Sequence, residues 1–266
     1  MSDANYYNRF VDNDAPENQQ KNNKKEIVSE TGYSIAKVFG YMFIGLAITA
    51  AIALGLGALF RYIFGVNYET GIDANLQNSA AITLIVLLIV SFIGIIILSF
   101  VVPITVARGK RSVLVPSIIY TVLMGVALST ICIFIPWSLL GLTFGITSLV
   151  FGLMALIALL SKGRLNGLAI AAMGLFIGAA MLSLALWIMM LCGVFSGPLY
   201  WIISLATFAA VMLITIWDMA RIKTIAKNGE MTTNLSLYCA FILYNDFIYI
   251  FLRILRIVII VMGKKN

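Results

Sequence analysis

Apolar residues in this chain do not alternate with polar ones. They run together, and seven runs stand out, at residues 36–60, 81–106, 113–135, 138–160, 166–191, 199–221 and 235–261. A helix that crosses a bilayer needs about 20 mostly apolar residues, and each run supplies that length. Backbone groups in hydrocarbon must be satisfied within their own segment, which leaves the helix as the natural form for such runs. The pattern therefore predicts a seven-helix transmembrane bundle. The connections are short apart from the first, residues 61–80. Residues 1–33 are rich in Asn, Asp, Gln and Lys and carry too little apolar surface to build a core. We expect a disordered polar tail there, a helical domain over 34–262 and a short basic tail at 263–266. The first apolar run begins too late for a secretory signal.

Composition agrees with the pattern. Hydrophobic types make up 62% of the 266 residues and charged types 11%, against about 25% charged in soluble domains. The chain is thus expected to be an all-α membrane protein with the lipid bilayer as its main partner. It has no histidine, which removes the commonest metal ligand and general base. Its three cysteines, Cys132, Cys192 and Cys239, are far apart and lie in or beside apolar runs, so they read as packing residues. There is no Gly-x-x-x-x-Gly-Lys-Ser/Thr phosphate loop and no Ser-His-Asp set. The expectation is a protein without enzymatic activity and without a resident cofactor.

The net charge of +7 changes the picture only through its distribution. Lys21, Lys24 and Lys25 precede the first run. Arg108, Lys110 and Arg111 follow the second, Lys162 and Arg164 the fourth, and Arg221, Lys223 and Lys227 the sixth. Alternating helices put all of these on one side, which by the positive-inside rule is the cytoplasm, with the N-terminus. Nucleic-acid binding is not needed to explain the charge. Lys264 and Lys265 disagree, because a fully crossing last helix puts them on the other side. Arg61 stands at the edge of an otherwise acidic outer loop. Gly141 and Gly145, and Gly174 and Gly178, have the Gly-xxx-Gly spacing that lets helices approach closely. Pro103 and Pro116 flank the turn between the second and third runs and are expected to bound or kink it. No internal repeat of the kind many transporters carry is visible.

Two acids break the apolar pattern. Of 11 acidic residues, only Asp218 and Asp246 lie within apolar runs. Intramembrane charges are costly, and they usually face a bundle interior, pair with one another or mark an ion path. Asp218 has Arg221 three residues on, so an interfacial pair within one helix is one reading. Asp246 has no such neighbour, since Arg253 is seven residues on, about 10 Å along the axis. The sixth and seventh runs meet at one loop, which makes them antiparallel neighbours. Two carboxylates brought together in low dielectric cannot easily both ionise, so the pair would hold a shared proton. Loss of that proton leaves a doubly negative site attractive to a hard cation such as calcium, which favours oxygen ligands. Arg253 and Arg256 can snorkel to the far interface or turn inward and balance the carboxylates.

These residues resemble a known family. The stretch AFILYNDFIYIFLRILR, residues 240–256, is similar to the C-terminal signature of the transmembrane Bax inhibitor motif family, a Leu-Tyr, an Asp-Phe pair and an aromatic-leucine run ending in Leu-Arg. IWDMARIK, residues 216–223, resembles that family's sixth-helix segment, and Arg108 falls near a basic residue that members place after the second helix. The resemblance covers residues 35–262. It implies a bundle with the last helix central, and a pH-sensitive calcium leak with Asp218 and Asp246 as sensor and gate. It also implies Arg108 as a candidate latch. The chain departs from the pattern in Trp217 before the first aspartate, in Asn245 before the second, and in a separation of 28 residues between them. The extra residues fall within 227–234, and the second run carries no acid.

Other functions use the same two acids. A proton-coupled transporter would use them as a relay, and saturable, proton-driven uptake would mark it. A membrane interaction protein would need them only for folding. An intramembrane aspartyl protease would use them as a dyad, but the Gly-x-Gly-Asp pattern of such enzymes is absent before Asp246. The Asn- and Lys-rich, proline-poor composition suggests an AT-rich bacterial genome, and the expected setting is the bacterial cell membrane.

Overall fold

The computed structural model describes residues 4–66, 77–109, 112–161, 166–191 and 197–263. They form seven helices, α1 (Ala4–Ile63), α2 (Gln77–Arg108), α3 (Leu114–Cys132), α4 (Trp137–Leu160), α5 (Asn166–Leu191), α6 (Gly197–Lys227) and α7 (Thr233–Gly263). There is no strand among the described residues. Each predicted run has its helix, with ends displaced by a few residues. Helix α3 stops at Cys132, short of the expected end, because the chain turns there toward Pro136 and α4. Arg61 supplies the missing partners for that end, donating from Nη2 to the carbonyls of Cys132 at 2.7 Å and Ile133 at 3.0 Å. The last carbonyls of a helix have no partner within it, so this arginine acts as a cap delivered from α1.

Helix α1 begins at Ala4, so the polar segment expected to be a disordered tail is helical where it is described. Only Ser29–Ile63 of α1 is apolar enough to cross a membrane. Similar spans are Ser79–Arg108, Leu114–Cys132, Trp137–Leu160 and Trp201–Lys227. Large apolar side chains such as Ile85, Val86, Ile89 and Phe92 of α2 are exposed, as lipid contact requires. With its long apolar helices, the chain is a multi-pass membrane protein.

Helix α7 is different in kind. It packs against α1, α2, α3, α4 and α6. Cys239, Ala240, Phe241, Leu243, Tyr244, Phe247 and Ile248 are all buried. The last helix is thus central, while α5 packs on α6 at the side. At 1.5 Å per residue, α7 is about 46 Å long, and it runs unbroken through its 31 residues. That length is enough to span the hydrocarbon core. Lys264 and Lys265 lie outside the described residues.

The close helix contacts are not where the Gly-xxx-Gly spacing puts them. A Cβ at Gly141, Gly145, Gly174 or Gly178 meets nothing within 4 Å. One at Gly125 of α3 would lie 2.8 Å from Ile52 Cβ and 3.0 Å from the Thr49 carbonyl oxygen of α1. Spacing alone does not say which helix face meets a neighbour, and that is why the pattern misled. Pro103 lies inside α2, which continues to Arg108, and Gly109, with φ of 62°, ends it. Pro116 sits in the first turn of α3, where a missing N–H costs nothing.

Candidate functional site

The site is built where α6 and α7 lie side by side. Helical periodicity places Thr215 and Asp218, three residues apart, on one face of α6. Both are buried, Thr215 completely and Asp218 at 8% exposure. The facing helix supplies Asp246, buried at 9%. The Thr215 side chain reaches the Asp246 carboxyl, and the charge of Asp218 acts on it too. Two acids 28 residues apart in sequence are thus brought to one place inside the bundle. The turn after α6 is made at Gly229, which takes a left-handed φ of 71° and donates its N–H to the Ala226 carbonyl.

Asp246 Oδ2 has no hydrogen-bond partner, and it is the buried side-chain oxygen or nitrogen of which this holds among the described residues. A buried acceptor without a partner costs about 1–3 kcal/mol, so this position calls for a physical reason. Thr215 does not fill the gap, because its hydroxyl donates to the Val211 carbonyl at 2.9 Å. A proton on this carboxyl, donated onward, or a bound water would satisfy that oxygen.

The arginines are placed away from it. Arg221 is exposed and lies over the Trp217 ring, 5.5 Å from its centroid. It bears on Asp218 through charge, but no ion pair joins the two among the described residues. Trp217, a departure from the family pattern, is what holds the guanidinium by cation–π attraction. Arg253 is half-buried and donates from Nη1 to Ser204 Oγ of α6 at 3.1 Å, and Arg256 is exposed. Arg108 is exposed in the last turn of α2, and no contact joins it to either aspartate among the described residues. Of the cysteines, Cys239 is buried in the core and Cys132 is half-buried, while Cys192 lies outside the described residues.

Next to Asp246 lies a polar layer that the sequence did not single out. Tyr120 of α3 donates to Asn245 Oδ1 at 2.6 Å, and Asn245 Nδ2 donates to the Phe241 carbonyl at 2.9 Å. Thr49 of α1 donates to the Thr121 carbonyl at 3.1 Å, and the Tyr244 hydroxyl lies 2.6 Å from the same Thr49 oxygen. With its proton committed to Thr121, Thr49 accepts from Tyr244. Tyr244, Asn245 and Asp246 are thus three successive residues held from three directions. The layer ties α1, α3 and α7 together and fixes the rotation of α7 that turns Asp246 toward α6.

No group of three or more Asp, Glu, Cys or His residues able to hold a metal occurs among the described residues. Two carboxylates and a threonine fall short of the six to eight oxygens around calcium.

A family model described as "Inhibitor of apoptosis-promoting Bax1" matches residues 33–265. Inner membrane protein YbhL of Escherichia coli (strain K12) is 28% identical over 229 residues, covering 84% of this chain and 89% of that protein. Uncharacterized protein RP147 of Rickettsia prowazekii (strain Madrid E) is 31% identical over 141 residues, covering 52% of this chain and 58% of that protein. No solved structure matches the chain.

Proposed function

This chain belongs to the Bax1-I family of integral membrane proteins, and on that premise we propose that it is a pH-sensitive cation leak channel that passes calcium. Asp218 and Asp246 form the sensor. The observation that carries this reading is the orphaned Oδ2 of Asp246, buried within reach of the Asp218 charge inside the bundle. Two carboxylates so placed hold one proton between them, and the proton count sets the charge that a cation meets. Thr215 is a third oxygen at the same place. Arg221, Arg253 and Arg256 act as charge partners at the margins, and Arg108 would reach the pair as a latch only after α2 moves.

The membrane is the bacterial inner membrane, as the name of the Escherichia coli relative says of that protein. The N-terminus faces the cytoplasm, by the excess of Lys and Arg on that side. The protein is not an enzyme and needs no cofactor, and its ligands are protons and calcium.

The test is calcium flux into liposomes carrying the purified protein, followed across a pH series. Wild type is expected to conduct with a clear pH dependence, and Asp218→Asn or Asp246→Asn to flatten it. Flux that is absent, or equal in well-folded variants at every pH, defeats the proposal. Saturable uptake of a solute driven by a proton gradient would point to a transporter.

A further inference from the structure

Helices α1 and α3 pack on each other, while α4 packs on α6 and α7. Between these two groups, over α7, lies a cavity of about 320 Å³. Its floor is Phe247, Phe251 and Leu255 of α7, and its walls include Ala53 of α1, Leu128 of α3 and Leu140 of α4. Trp137 and Phe144 of α4 also line it and are 48% and 45% exposed, so the cavity is open on its α4 side, along a span long and apolar enough to cross a membrane. The volume lies within the range of ligand pockets, about 300–1,000 Å³.

The lining decides the occupant. Thr49 is the hydroxyl residue in it, and that hydroxyl is already bonded to the Thr121 carbonyl and to Tyr244. A buried water needs two to four polar partners, which this lining does not supply. Hydrocarbon does match it, and a bilayer holds acyl chains against the opening continuously. We propose that the cavity is a binding site for one acyl chain of a membrane phospholipid, entering between α4 and the α1–α3 pair. A chain seated there touches Phe247, the residue after Asp246. The acyl composition of the bilayer thereby gains a contact beside the paired carboxylates.

The full chain is reconstituted in phosphatidylcholine vesicles that contain a phospholipid with a photoreactive diazirine on one acyl chain. After irradiation, the labelled residues are mapped by peptide mass spectrometry. Ala53 and Phe247 are 4% and 2% exposed, so label at these positions comes through the cavity and not from the outer surface. Two variants fill the cavity from different helices, Ala50→Phe and Gly141→Phe. A Cβ at Gly141 meets nothing within 4 Å, so the added ring has room. Labelling of Ala53 and Phe247 is expected in wild type and should fall about tenfold in both variants, equivalent to about 1.4 kcal/mol. Label on the exposed Ile85 and Ile89 of α2 should stay constant, which reports intact insertion. Labelling of α2 without labelling of Ala53 and Phe247 in wild type overturns the proposal, and so does interior labelling that neither filling reduces.

Discussion

At the scale of single residues, the bundle is ordered by hydroxyls that cross between helices. Most hydroxyls do not cross. Thr143, Thr147 and Thr207 each donate to the carbonyl four residues earlier in their own helix, which satisfies the group and joins nothing. Thr49 and Tyr120 bond to other helices. Tyr120→Phe leaves Asn245 Oδ1 without that donor and should lower stability by about 1–3 kcal/mol. Tyr244→Phe leaves Thr49 bonded to Thr121, so its cost should be smaller, about 1 kcal/mol. Thermal unfolding in detergent orders the two, and an equal or reversed order contradicts the roles of these tyrosines. The same contrast explains what could be read in advance. Asp218 and Asp246 were legible because a charge in an apolar run is rare and needs a reason. Thr49, Thr215 and Tyr120 were not, because a hydroxyl in a helix satisfies itself cheaply and its sequence position does not reveal whether it reaches across.

At the scale of helices, close approach is governed by Gly125 and capping by Arg61. Gly125→Ala puts a methyl against Ile52 and the Thr49 carbonyl, and overpacking of this kind costs about 1–3 kcal/mol. Gly141→Ala should be silent, since open space surrounds that position. A melting temperature that falls for Gly141→Ala and not for Gly125→Ala would reverse this assignment of the close contact. Arg61→Met removes the donor to the carbonyls of Cys132, Ile133 and Ile135. It should destabilise by about 1.5–3 kcal/mol, the worth of hydrogen bonds to a charged group. Hydrogen exchange at the end of α3 is the readout, and unchanged protection there contradicts the capping role. At the opposite end of the bundle, Lys223 of α6 does the same for α4, donating to the carbonyls of Leu159 and Ser161. Charge counting reads both residues only as topology signals. Their capping roles depend on which helix ends lie beside them, which no run of hydropathy records.

At the scale of the whole molecule, the number of helices and their order along the chain were legible, because the bilayer imposes a length on every crossing segment. The neighbours were not. Hydropathy gives each helix an apolar surface without saying against what, and the central place of α7 followed from the resemblance of its motif. The bundle now explains how a helix with Asp246, Arg253 and Arg256 is tolerated in a membrane. Its acid faces α6, Arg253 bonds to Ser204, and Arg256 is exposed near the far end. One consequence is topological. A label that cannot cross membranes should react with a cysteine placed at residue 266 from the side opposite to one placed at residue 230, and reaction from one side only would mean that α7 does not cross. The central claim is that Asp218 and Asp246 act as one unit, and residues that act as a unit are non-additive. The most direct measurement is the pH dependence of calcium flux in liposomes for wild type, Asp218→Asn, Asp246→Asn and the double variant. Each single substitution is expected to abolish the dependence, and the double variant to behave as either single one. Retained pH dependence in the single variants, or losses that simply add in the double, would contradict it.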